Sequence, residues 1–320
     1  MAKSGFCQLG AFEASFIRAN AWLAAWPCAC YLGRGMPNVL ASLSRDHPDF
    51  ARRATGLAHV AARDVLRRFA EALRPAQIPV LAVKGIVTGQ TLYADPAERP
   101  IADVDVRLIH KHIQIVREIG ARHGWAILEN SYIYRNVVFD INGILVDVEA
   151  TVGPPGLCGL RVADMFQRAS RENLDGEAVW FPELHDHALL LAVNVFKDKL
   201  VRAAPWAVED LKRIALDSAF SPARLARLAE TSSSSTLLWI VSDWMARSGA
   251  TGAWSEVRGA CAPFVRRGYA RLYRRLVETS AFRPVLLPLV TRMASDRVLE
   301  RVMAVGRAVG WQLGHLNRWS

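Results

Sequence analysis

No run of about 18 uninterrupted apolar residues occurs in this 320-residue chain, which predicts the absence of a membrane-spanning helix. Cysteine is scarce. The five present, Cys7, Cys28, Cys30, Cys158 and Cys261, are odd in number and lack a paired metal spacing, which argues against a disulfide framework or a zinc site and for a reducing, cytoplasmic setting. Lysine is missing from the last 70 residues, where 12 arginines face four acidic residues, a net +8 out of +10 for the whole chain. Internal repeats and long low-complexity tracts are missing too. What remains is a folded composition, 52% hydrophobic and 22% charged. The positive balance favours anionic partners such as nucleotides, nucleic acid or an acidic membrane surface without choosing among them. Lys3 and the apolar stretch Ala19 to Leu32 have the outline of a signal peptide, but Glu13, Arg18 and Asn20 interrupt it. Met36 is an alternative start, leaving the preceding residues as a helical or poorly ordered extension.

From Pro48 to Leu73, apolar residues including Leu57, Val60, Val65, Leu66 and Phe69 recur at spacings of three and four among arginines, which predicts an amphipathic helix. Pro75 and Pro79 end it. Pro79 to Val83 reads as a buried strand, Ile86 to Leu92 as a short helix, Asp103 to Leu108 as a strand and His112 to His123 as a helix closed by Gly124. Val137–Asp140 and Ile144–Glu149 predict a hairpin across Asn142-Gly143. Beyond Pro154-Pro155, the segments Asp186–Leu200, Pro205–Asp217, Pro222–Thr231 and Leu237–Ser248 all read as helices. The expected fold class is α+β: a helical N-terminal segment (1–75), a small mixed-sheet core with helices on one side (76–153), and a helical C-terminal region (154–320).

The chemistry concentrates in Asp103-Val104-Asp105. Alternate residues of a strand share a face, so Asp103 and Asp105 present two carboxylates side by side on an otherwise apolar strand. Such a pair is costly unless a divalent cation or a basic partner compensates it. The alternative is an edge strand with a solvated acidic face, paired with Arg99 and Arg107. Asp147 and Glu149 repeat the pattern on a neighbouring strand. Lys84-Gly85, at a strand-to-helix junction, suits phosphate through free amides and an ammonium, or is simply a turn glycine beside a surface lysine.

Val83-Lys84-Gly85, Tyr93, Arg99-Pro100, Asp103-Val104-Asp105, Val146-Asp147-Val148 and the helical segment Trp206–Ile214 with Glu209-Asp210-Leu211 occur in an order that resembles the uncharacterised nucleotidyltransferase family of the polymerase-beta-like superfamily, over roughly residues 55 to 215. The resemblance implies transfer of a nucleoside monophosphate from a nucleoside triphosphate to an acceptor. It implies Mg2+, or Mn2+ in its place, held by Asp103, Asp105 and Asp147, with Asp147 as second-metal ligand or base and Glu149 as its substitute. Where the wider superfamily has Gly-Ser or Gly-Gly, this chain has Gly85-Ile86, so Lys84 and Arg99, with Gly85, are the expected phosphate contacts. The acceptor class stays open among protein, peptide, small molecule and RNA end. The competing expectations are a catalytically silent nucleotide-binding or interaction subunit of the same fold, and a basic nucleic-acid or membrane-surface binder led by the arginine-rich C-terminal region.

His187, Asn194 and Asp198 project within about 40° of one another on one helix, lining a pocket or forming a solvent face. His185 and His187 lack the i,i+4 spacing of zinc ligands. Arg266, Arg267, Arg271, Arg274 and Arg275 flank Tyr269 and Tyr273 within Arg258–Arg283, as an auxiliary surface for RNA or anionic lipid or as a solvated basic helix face.

Overall fold

A computed structural model describes residues 48–131, 135–154, 156–200, 202–250, 252–279 and 286–316. Met36, Cys7, Cys28, Cys30, Arg283 and most of the expected N-terminal segment lie outside the described residues. The described residues belong to one compact unit, Pro48–Ser320. Helix α1 (Pro48–Leu73) coincides with the predicted helix and buries Ala58, Ala62, Val65, Leu66, Phe69 and Leu73, the spacing of a helical stripe. Val60, which the periodicity placed in that stripe, is exposed. A 3-10 turn at Arg74–Ala76 and left-handed Gln77 (φ 54°) end the helix.

The chain then runs through β1 (Leu81–Val83), α2 (Gly85–Thr91), β2 (Asp103–Arg107), α3 (Ile113–Arg122), β3 (Ala126–Ser131), β4 (Asn136–Ile141), β5 (Ile144–Glu149), α4 (Val162–Arg168), β6 (Ser170–Leu174) and β7 (Glu177–Phe181). The helices that follow are α5 (Leu184–Lys197), α6 (Pro205–Ile214), α7 (Pro222–Thr231), α8 (Ser235–Arg247), α9 (Ala253–Cys261), α10 (Arg267–Glu278), α11 (Leu286–Arg292) and α12 (Val298–Leu316). The seven strands form one mixed sheet in the order β3-β4-β5-β2-β1-β7-β6. Strands β4 and β5 make the predicted hairpin, with Asn142 at φ 56° and Gly143 at φ 83°, the two positive values a tight two-residue hairpin turn requires.

Two expectations need correction. The sheet does not stop near Gly153, because the β6–β7 hairpin lies inside the region expected to be helical and β7 pairs parallel with β1. Nor do helices cover a single face. Ala82, Val104, Val106, Val146 and Val148, all fully buried, share the face on which α1 packs, and Phe69 meets Phe139 there with ring centroids 6.4 Å apart. Leu81 and Val83 turn the opposite way, into a larger core with Leu189 and Val193 of α5, Leu211 of α6, Leu238 of α8 and Trp254 of α9. Among the described residues no helix is long and apolar enough to cross a membrane. Among the described residues, Cys158 and Cys261 are free thiols.

Candidate active site

The parallel pairing of β2 with β5 places Asp105 opposite Asp147 and Arg107 opposite Glu149, while antiparallel β1 sets Val83 beside Asp105. Paired residues point to one face of a sheet, so Asp103, Asp105, Asp147 and Glu149 all project from the same side, away from α1. These are the four acidic residues singled out in the sequence. Holding four carboxylates on two adjacent strands is unfavourable in itself. The valines on the opposite face offset that, at about 2 kcal/mol for each fully buried side chain.

Two basic residues neutralise half of the cluster. Lys84 Nζ donates to Asp105 Oδ1, with side chains 14% and 5% exposed, and Arg107 Nη2 lies 2.9 Å from Glu149 Oε2 in an almost fully buried ion pair. Asp103 and Asp147 are left with the excess charge. The carboxyl of Asp103 is pushed up to about 6 by the charge of Asp105 and then by burial. That of Asp147 is pushed up to about 7 by burial and then by Glu149 and Asp105, and its Oδ1 is buried with no hydrogen-bond partner. Glu149 lies below the usual carboxylate range: burial opposes ionisation, but Arg107, Lys84 and Lys197 favour it more strongly. For Lys84, burial alone would lower the pKa, and the surrounding Asp105, Glu149 and Asp147 more than reverse this. Lys197, at the end of α5, also acts on Asp103 and Glu149. Its role was not read from the sequence.

Lys84 sits between β1 and α2 at φ 55° and ψ −133°, a backbone region that residues with a Cβ rarely occupy. Its N–H donates to His187 Nε2 at 3.0 Å, so that nitrogen keeps its lone pair, and burial pulls the His187 pKa down to about 4. His187 is therefore an interior residue that fixes the β1–α2 junction. Of the stripe read from α5, His187 is buried while Asn194 and Asp198 are half-buried, so the solvent-face alternative does not hold for it.

Arg99 is placed differently from its expected role. Its Nη2 donates to Asp210 Oδ2 at 2.7 Å, its Nε lies 3.2 Å from the same oxygen, and both side chains are buried. Tyr93 Oη and Thr88 Oγ1 donate to the same carboxylate at 2.9 and 3.2 Å, and His59 Nε2 donates to the Arg99 carbonyl at 2.7 Å. The guanidinium thus clamps α2, the loop before β2 and α6 together. Gly85 belongs to the same clamp, since a Cβ there would stand 2.7 Å from Arg99 Nη1. Asp210 was legible in principle: it lies with Ala207, Leu211 and Ile214 at the buried positions of an amphipathic helix, where a carboxylate requires a partner.

Among the described residues no three His, Cys, Asp or Glu side chains are gathered into a preassembled metal site. The donor set nonetheless suits a hard divalent cation: carboxylate oxygens on one face, among them Asp147 Oδ1, buried and without a hydrogen-bond partner. In the arginine-rich region, Tyr273 is a core residue whose Oη donates to the Phe196 carbonyl at 2.9 Å, and Arg266 binds Asp296 and the carbonyls of Met293 and Ala294. Arg274 pairs with Asp243, whereas Arg267, Arg271 and Arg275 are exposed.

The sequence profile of a family described as "Uncharacterised nucleotidyltransferase" matches residues 21–240. No curated protein matches the chain. Two solved structures are similar at a distance. One is the solution structure of the antibiotic-resistance factor ANT(2'')-Ia, 15% identical, covering 68% of this chain and 97% of its own, with a TM-score of 0.39. The other is the crystal structure of ANT(2")-Ia in complex with adenylyl-2"-tobramycin, 12% identical, covering 53% and 95% respectively, with the same TM-score. Likenesses this remote carry no information on the substrate of this chain.

Proposed function

The chain belongs to the uncharacterised nucleotidyltransferase family, and from that premise we propose that it transfers a nucleoside monophosphate from a nucleoside triphosphate to an acceptor in a reaction that depends on Mg2+ or Mn2+ at the acidic face. The observation that carries this reading is the register Asp105 opposite Asp147 with Asp103 two residues along, which puts three carboxylates on one face of two adjacent strands. Asp103, Asp105 and Asp147 would hold the cation. When bound, it supplies positive charge to the triphosphate and to the oxygens that attack and leave.

The acceptor's oxygen forms a bond to the α-phosphorus while the bond from that phosphorus to the bridging oxygen breaks, and pyrophosphate leaves with the electron pair. Asp147, facing Asp105 across the strand pair, is placed either to complete the cation's ligands or, where it does not hold the cation, to take the acceptor's proton. Lys84 can offer its ammonium to the phosphates, Arg107 keeps Glu149 ionised beside Asp147, and the Arg99–Asp210 clamp holds the junction that carries Lys84.

One observation favours a second reading, a fold that binds nucleotide without turnover: the ammonium of Lys84 already satisfies Asp105. Incubation with triphosphates labelled at the α-position, Mg2+ or Mn2+ and cell extract separates the two. Label transferred to an acceptor by the wild type but not by Asp105→Asn supports transfer. Nucleotide binding without any labelled product supports the silent fold.

A further inference from the structure

We propose that Lys84 is the resident counter-ion of the cation position, holding Asp105 while no metal is bound and surrendering that oxygen to the metal as its own ammonium passes to the triphosphate. This rests on the metal-dependent reading above and goes beyond it, because it makes one side chain serve two partners in turn. The geometry distinguishes Lys84 from the other buried cations of the site. Arg107 is held on Glu149, and Arg99 is held by several contacts to Asp210 and to the carbonyl of Pro100. Lys84 instead reaches Asp105 through a single ammonium at the end of a flexible four-carbon stem.

Its backbone is held by contacts separate from those of its side chain. The His187 imidazole accepts the Lys84 N–H, and the strand pairing Val83–Asp105 sets where the side chain starts. The conformation at φ 55° and ψ −133° is one glycine would take without strain, so the lysine stands there at a backbone cost. The face sets the four carboxylates of Asp103, Asp105, Asp147 and Glu149 against the two ion-paired cations Lys84 and Arg107, and Asp147 Oδ1 is buried without a hydrogen-bond partner. A divalent cation on Asp103, Asp105 and Asp147 would meet that imbalance and, by repulsion, disfavour the ammonium on Asp105. The triphosphate brings the negative charge that receives it.

The test compares Mn2+ binding, read from the electron paramagnetic resonance signal of the free ion, for the wild type, Lys84→Met and Lys84→Met/Asp105→Asn without nucleotide. It then repeats the wild type and Lys84→Met with α,β-methylene ATP, CTP, GTP or UTP. Lys84→Met is expected to bind Mn2+ alone about tenfold or more tightly than the wild type, since one positive charge has left the shared oxygen, and to lose that gain when Asp105 is also replaced. With Mn2+ present, the same variant is expected to bind the accepted analogue about tenfold more weakly. Lys84→Gly, which also relieves the backbone, is the second variant and is expected to behave in the same way. Mn2+ affinity that is unchanged or weaker in both folded variants overturns the counter-ion assignment alone. Absence of Mn2+ binding in every protein, with and without analogue, overturns it together with the metal-dependent reading.

Discussion

Asp103→Asn tests the electrostatics of the acidic face without requiring any substrate. In the folded, metal-free protein the Asp103 carboxyl titrates at about 6, against 3.8 for an unperturbed aspartate, chiefly because Asp105 repels its ionised form. The folded state therefore binds this proton more tightly than the unfolded state does. Below about pH 4 both states are protonated and the group has no effect. As pH rises through 4 to 6 the unfolded chain ionises first, so stability falls, and above about 6 the full cost is present. Roughly two pKa units at 1.36 kcal/mol each amount to about 3 kcal/mol, an upper figure because Asp103 is partly exposed and asparagine needs partners of its own. Asparagine cannot ionise, so Asp103→Asn should match the wild type near pH 4 and exceed it by about 1–3 kcal/mol at pH 7–8. At about 2–4 °C per kcal/mol, that is a Tm raised by about 2–12 °C. Thermal melts in chelator from pH 4 to 8 read this directly. A difference between the two proteins that does not change with pH would refute the assignment of the repulsion to this pair.

The clamp and the arginine-rich region make separate predictions. Asp210→Asn leaves the buried Arg99 guanidinium without its counter-charge and should cost about 3–5 kcal/mol by urea denaturation, and a loss under about 1 kcal/mol would show that the clamp is not structural. Arg266→Ser removes an ion pair to Asp296 and two carbonyl contacts, and should lower stability by about 1–3 kcal/mol. Exposed Arg267→Ser should stay within about 0.5 kcal/mol of the wild type, and equal losses for the two variants would contradict the distinction drawn between them.

Local patterns were legible in the sequence and long-range pairings were not. Helix α7 (Pro222–Thr231) was read to the residue because Ser221 caps it and Pro222 fits its first turn, both local signals. The β4–β5 hairpin carries its own turn chemistry at Asn142-Gly143. The shared face of Asp103 and Asp105 follows from strand alternation alone. Strands β3 and β6 escaped because they are exposed edges rich in polar residues, without the buried alternation that marks a strand. The partners of Arg99 and Lys84 escaped for another reason: Asp210 lies 111 residues from Arg99, and His187 lies 103 from Lys84. No local periodicity encodes such a contact. The polar residues on the buried faces of α5 and α6 were the available signal. A His or Asp inside an apolar stripe asks for a partner without naming it.

The 111-residue interval between Arg99 and Asp210 also sets an order of events during synthesis. Elongation at about 5–20 residues per second leaves roughly 6–20 s in which Arg99 has been made and Asp210 has not. In the later part of that interval, once residue 149 has emerged, the nascent chain can pair β1, β2, β4 and β5 and collect its carboxylates. It has no α6 to hold the arginine, and until residue 177 has emerged no β7 to cover the open edge of β1. A fragment ending near Gly153 would be arrested in that state, with an uncovered strand and an arginine lacking its counter-charge. The acidic strands are thus an early product of translation, and the geometry that makes them a site is completed only after the chain has passed residue 210.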